Sequence, residues 1–176
     1  MSPSAEQAPA ADVALVDVNE EVLEQLLTVA IQDADADEVT PPLGSAVGWN
    51  SERISWFREY HHDASSGLDG PAQQKSWAIS YGGQLAGSIR LRRTGPGVLE
   101  TGIWLARSLR GRGIGAEALR LVKAQAALSG ATALEADTTA GNAGALALLR
   151  SAGAEFVAGA DSGDAAVPVR ARIPLR

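Results

Sequence analysis

Residues 110–115 read Arg-Gly-Arg-Gly-Ile-Gly and lie between an apolar run ending at Leu105 and a helical pattern beginning near Ile114. No other stretch constrains the chain so strongly. Glycines at alternate positions let the backbone turn tightly and present N–H groups to an anion, while Arg110 and Arg112 add charge-assisted donors. The helix that follows points the positive end of its dipole at the same place, so a pyrophosphate would meet orphan amides, dipole and guanidinium together. Arg110, Gly111, Arg112, Gly113, Ile114 and Gly115 are therefore candidate phosphate ligands. The plainer alternative is a strand-to-helix loop with surface arginines, because glycine-rich motifs say little without context.

At 176 residues the chain fits one domain, large enough for a sheet covered by helices. Residues 1–10, rich in Ala, Ser, Pro and Gln, read as a flexible tail, and 11–176 as the single domain. The absence of cysteine rules out a disulfide, a thiolate metal site or a thiol nucleophile, so acyl chemistry must be direct or use another group. No run approaches the roughly 18 apolar residues of a membrane helix, and the N-terminus lacks a basic segment followed by an apolar one. A cytoplasmic protein without a membrane partner is expected. The net charge of −6 argues against nucleic acid as the partner. Its distribution is uneven: residues 1–75 carry 14 acids and 3 bases, residues 76–176 carry 7 acids and 12 bases. A polyanion would be drawn to the second half and a cation to the first.

A first strand is expected over residues 13–18, then a helix capped by Asn19 with Val22, Leu23, Leu26, Leu27 and Ala30 as its apolar stripe. The acidic segment from Asp33 to Gly44 reads as a loop. Asn50 or Ser51 opens a second helix that turns Ile54, Phe57 and Tyr60 inward and ends near His61 and His62. From Lys75 the period changes to two. Residues 77–81 and 84–92 form a hairpin about Gly82-Gly83, and residues 98–105 a third strand that leads into the glycine loop. A helix over 114–128, a strand over 133–136, a helix over 142–151 closed by Gly153, and strands over 154–157 and 167–173 complete the pattern.

The second half resembles the GNAT superfamily of acyl-CoA N-acyltransferases. That family's cofactor signature, Gln or Arg, two residues, Gly, one residue, then Gly or Ala, is matched by Arg110, Gly113 and Gly115. Glu100-Thr101-Gly102-Ile103-Trp104-Leu105 is similar to the family's fourth strand, where a glutamate often acts as general base. Asn142, Ala145, Leu148 and Gly153 reproduce a second motif, an asparagine that opens a helix ending in glycine. The resemblance spans about residues 76–158, taken as the acyl-CoA-binding core. It implies a single-domain α/β fold with a mixed, mostly antiparallel sheet flanked by helices. It also implies acetyl-CoA or another acyl-CoA as cosubstrate, no metal, and a backbone that splays near Trp104 and Leu105 and offers an amide to the thioester oxygen. Two residues depart from the pattern. Leu149 stands where many members carry a tyrosine that protonates the leaving sulfur, and Ala145 where one subgroup has serine. A thiol of pKa about 8.5 can leave as thiolate without a strong acid, and Ser151, Tyr81 or a water could assist.

The residues carry the chemistry independently of the resemblance. An alkylamine of pKa about 10.4 must lose a proton to attack a thioester, and Glu100, on an apolar strand ten residues before Arg110, is the candidate base. The competing reading pairs Glu100 with Arg90 or Arg92 across the hairpin. His61 and His62 read as a helix-end cap or surface feature before they read as a base or pocket wall. The four tryptophans read as core or pocket wall. A dinucleotide fingerprint through Gly111, Gly113 and Ala116, with Asp137 at the next strand end, is disfavoured because too little chain remains for a second nucleotide-binding half. The expected function is direct transfer of an acyl group, acetyl above all, from CoA to the primary amine of a small molecule. An acyl carrier protein as donor, a non-catalytic acyl-CoA-binding module and a homodimer are left open.

Overall fold

The computed structural model describes residues 12–45, 47–159 and 162–175, so the tail expected to Ala10 lies outside the described residues. The chain runs β1 (Val13–Asp17), α1 (Glu20–Asp33), α2 (Ala36–Val39), α3 (Ser51–Ala64), β2 (Gln74–Tyr81), β3 (Gln84–Gly95), β4 (Val98–Leu105), α4 (Ile114–Leu128), β5 (Ala133–Thr139), α5 (Ala143–Ser151), β6 (Glu155–Ala158) and β7 (Pro168–Pro174). The strands form one seven-stranded sheet in the order β1-β2-β3-β4-β5-β7-β6. Neighbours are antiparallel except β4 and β5, so the sheet is mixed and mostly antiparallel, as expected.

Side chains at helical spacing meet side chains at alternate strand positions on each face. On one face Ile114, Ala118, Leu119, Val122 and Ala126 of α4 join Ile79, Ile89, Leu91, Leu99, Leu134 and Ile173. On the other, Leu23, Leu26, Leu27 and Ala30 of α1 join Phe57 of α3 and Ala78 of β2. The helix starts are fixed locally. Asn19, Asn50 and Asn142 accept from the amides of Val22, Arg53 and Ala145 at 2.8, 2.9 and 3.1 Å.

The structure corrects two element boundaries. The acidic segment expected as loop contains α2, because Asp35 caps it by accepting from Asp37 N at 3.0 Å and acids fill its first turn. The third helix continues beyond the histidines to Ala64, which changes the role of His61.

The β4–β5 ladder positions the site. It pairs only Val98–Glu100 with Ala133–Glu135. Beyond Glu100, β4 stays with β3 as far as Leu105 opposite Gly87, and β5 stays with β7 as far as Thr139. The sheet therefore splits along a seam between its two central strands. Gly87 holds the β4 rim of this seam in place: its φ is +159°, and a Cβ there would lie 2.1 Å from the Trp104 carbonyl oxygen.

Candidate active site

A cavity of about 280 Å³ opens at the seam, between Trp56, Phe57, Tyr60 and His61 of α3, residues 101–104 of β4, Asp137 and Thr138 of β5, and Asn142 with Leu148 and Leu149 around α5. Trp104 lines it, and Leu105 is the next residue along the rim. Backbone groups that would bond to a neighbouring strand in a continuous sheet face the opening instead.

The glycine loop lies at the end of β4. After a single 3₁₀ turn at Arg107–Leu109, Gly111 and Gly113 take left-handed φ of +77° and +81°, and a Cβ at either would have no atom within 4 Å. Gly113 is the N-cap of α4, so Ile114, Gly115 and Ala116 carry first-turn amides without intrahelical partners. Gly115 is buried, and a Cβ there would touch Leu105 Cδ1 at 3.4 Å and Leu148 Cδ2 at 3.6 Å, which seats the helix start against the seam. Arg112 is exposed beside the loop. This donor set suits an anion.

Arg110 has a different role from Arg112. Its Nη2 donates to Glu38 Oε2 at 2.6 Å and to the Leu105 carbonyl at 3.2 Å, so the side chain ties the loop to β4 and α2. Asp33, at the end of α1, accepts from Ser108 N at 3.2 Å and from the Ser108 hydroxyl, which holds its carboxyl below the usual range. Asp37 pairs with buried Arg53 at 2.8 Å and Asp69 with Arg93 at 3.0 Å. Several acids of the first half are thus engaged, and two of them, Asp33 and Glu38, brace the segment that carries the glycine loop.

Glu100 is buried and bonded through both oxygens: Arg90 Nη2 lies 2.7 Å from Oε1 and Arg92 Nη2 2.9 Å from Oε2. Both cross-strand pairings weighed from the sequence are present at once. Arg90, rather than Glu100, lines the cavity. Above it the Tyr60 hydroxyl is buried without a hydrogen-bond partner, as is Arg90 Nε, and burial pushes the phenol pKa up.

His61 departs from the helix-end reading. It is 3% exposed, its Nδ1 is 2.9 Å from Ser76 Oγ, and burial pushes its pKa down to about 4. The signal for this was Arg53, Phe57, His61 and Ala64 recurring at helical spacing on the buried side of α3. His62, one residue on, is exposed and faces Glu20 at 2.6 Å. Trp56 and Trp104 line the cavity, Trp77 is core, and Trp49 donates to the Ala34 carbonyl at 3.1 Å. Asn142 combines cavity lining with its cap on α5. Leu149 is buried and supplies no proton. Ser151 donates to the Leu148 carbonyl at 2.7 Å, and Tyr81 stands at the hairpin turn, so neither lines the cavity. Asp137 is paired with Arg170 at 2.9 Å in a sheet with one parallel ladder, which is not a dinucleotide-binding architecture. Among the described residues no group of three or more His, Asp or Glu could hold a metal ion, and no helix is long and apolar enough to cross a membrane.

A seam between two central strands beside a glycine loop defines the acyl-CoA N-acyltransferase class. A family model described as the Acetyltransferase (GNAT) family matches residues 40–154, so the chain belongs to that family, with acyl-CoA as cosubstrate. No curated protein matches the sequence. Solved structures share the fold at low identity. RimL, a ribosomal L7/L12 alpha-N-protein acetyltransferase in complex with coenzyme A, is 16% identical, with 93% of this chain and 94% of that chain covered and a TM-score of 0.71. Mycobacterium smegmatis RimJ with CoA-disulfide is 17% identical over 94% and 83%, with a TM-score of 0.74. The microcin C7 self-immunity acetyltransferase MccE, with acetyl-CoA and AMP, is 13% identical over 93% and 93%, with a TM-score of 0.69.

Proposed function

We propose that this chain transfers an acetyl group from acetyl-CoA to the primary amine of a small molecule by direct attack. The observation that carries the reading is the cavity at the β4–β5 seam, whose lining residue Leu148 packs against Gly115 in the first turn of α4. Acetyl-CoA supplies an acyl carbon activated as a thioester. The first-turn amides of α4 and the Arg112 guanidinium hold its pyrophosphate, the Trp104–Leu105 backbone receives the thioester oxygen, and Asn142 borders the pantetheine path. The acyl carbon exchanges its bond to sulfur for one to nitrogen, the nitrogen's proton passes through water to Glu100 behind the cavity lining, and the sulfur leaves as thiolate.

Arg90 and Arg92 each hold one carboxylate oxygen of Glu100 and fix its direction. A carboxylate suffices as the final proton acceptor, because a nitrogen becoming an amide holds its proton far less tightly than an alkylamine does. A cavity of about 280 Å³ walled by aromatic side chains is near the lower bound of roughly 300 Å³ for small-molecule sites and supports a small acceptor. Release of free CoA thiol, measured over a broad amine panel together with calorimetric titration of acetyl-CoA, tests the reading. Tight acetyl-CoA binding with no turnover on any amine would make the chain a binding module instead. Turnover from an acyl carrier protein but not from acetyl-CoA would reassign the donor.

A further inference from the structure

Arg90 lines the cavity, and the cluster it forms with Arg92 and Glu100 directly behind the lining carries a surplus of positive charge that acetyl transfer does not itself require. Arg90 and Arg92 are two residues apart on β3 and therefore share the sheet face that carries α1 and α3. Both guanidiniums meet the single carboxylate of Glu100, which leaves the cluster at +1. The two carboxylates that line the cavity are each balanced from outside the lining, Glu38 by Arg110 and Asp137 by Arg170. Burial keeps His61 and Tyr60 uncharged near neutral pH. No carboxylate lining the cavity is thus left for an ammonium group, whereas a guanidinium is left for an anion.

The position of this charge is specific. A Cβ on Gly102 would lie 3.0 Å from Arg90 Cζ, 3.1 Å from Nη2 and 3.2 Å from Nε. Such nearly equal distances place the face of the guanidinium over Gly102, in the part of β4 that has left β5. The arginine side chains remain 37% and 48% exposed, so a ligand can reach them. Beside them Trp56 and Tyr60 stack at 5.1 Å and Trp104 faces Phe57 at 6.5 Å, giving the cavity an aromatic wall.

We infer that the acceptor is a primary amine that also bears a carboxylate a few bonds from the nitrogen, on an apolar or aromatic body. An apolar α-amino acid is the simplest such molecule. Its carboxylate pairs with Arg90, which Arg92 frees by sharing Glu100, its body lies against Trp56, Tyr60 and Trp104, and its amine is turned to the seam. Guanidinium–carboxylate pairing can be bidentate and so fixes direction as well as affinity. Competition from the bound carboxylate for the arginines also loosens their hold on Glu100 when its oxygen is needed. The inference rests on the acetyl-transfer reading and narrows its substrate.

The test compares phenylalanine, leucine and tryptophan with the matching decarboxylated amines and amino-acid amides, all with acetyl-CoA as donor. For at least one amino acid, kcat/KM is expected to exceed that of its decarboxylated and amide partners tenfold or more. Arg92→Gln should bring this ratio close to one, and Arg92→Lys should retain part of it. Equal or better turnover of the partners lacking carboxylate would overturn the inference, as would an unchanged ratio in Arg92→Gln. Should Arg92→Gln fail to fold, the wild-type ratio and Arg92→Lys decide. Acetylation of other amines but none of the amino acids overturns this inference and leaves the acetyltransferase reading standing. Acetyl-CoA binding with no amine acetylated overturns both.

Discussion

Acid should weaken this fold through one imidazole. In the unfolded chain His61 titrates near 6.5, whereas burial between Phe57, Tyr60 and Ser76 pushes it down to about 4. A gap of roughly 2.5 units at 1.36 kcal/mol per unit is worth about 3 kcal/mol. The folded pKa of this base is depressed, so between pH 6.5 and pH 4 the unfolded chain binds the proton that the folded chain refuses. Stability is therefore full above pH 6.5 and falls as pH is lowered towards 4, with about 2 kcal/mol gone by pH 5. Urea unfolding at half-unit steps from pH 7.5 to 4.5 measures this in wild type and in His61→Gln, which keeps a polar partner for Ser76. The variant should be less stable at pH 7 yet lose about 2 kcal/mol less between pH 7 and pH 5. Exposed His62 and the carboxylates are common to both chains and cancel in the comparison. Equal losses in the two proteins would refute the argument that His61 is held neutral by burial.

Arg112→Ala should weaken CoA binding about tenfold or more, by loss of a charge-assisted contact of about 1.5–3 kcal/mol, with little change in melting temperature. Arg110→Ala should weaken binding and also lower the melting temperature, and Glu38→Gln should reproduce part of both effects, since Arg110 fastens the loop to Glu38 and Leu105; calorimetry with thermal melts separates these cases. Glu100→Gln should lower kcat by roughly 10² near neutral pH, with recovery at high pH as the amine deprotonates unaided and with CoA affinity nearly intact; wild-type turnover across the pH range would return Glu100 to a structural role. Gly87→Ala should abolish a stable seam, because the added Cβ lies 2.1 Å from the Trp104 carbonyl oxygen, and loss of soluble folded protein checks it.

Much of the site was legible because its information is local. Alternate glycines before an amphipathic run specify a strand–loop–helix junction through φ preferences and helix capping alone, and the structure has it at Leu105–Ile114. Asn19, Asn50 and Asn142 likewise announce helix starts through bonds spanning three residues. The alternation from Lys75 onward specifies a hairpin and a third strand in order. Tertiary structure decided what depends on residues distant in sequence. Where β4 leaves β5 is set by a ladder that joins segments more than thirty residues apart and stops at Glu100. Nothing in the glycine loop says that Arg110 is held by Glu38 while Arg112 stays exposed, because Glu38 arrives on a helix 72 residues earlier. The acids of the first half read alike in sequence, yet the fold gives Asp37 to Arg53, Glu38 to Arg110 and Asp69 to Arg93. His61 and His62 are neighbours of one residue type, yet one rotation of 100° about α3 buries the first against Ser76 and leaves the second in water beside Glu20. The sequence determines which residues carry chemistry through local conformational preference; only packing across the sheet determines which of them share a cavity, and with what net charge.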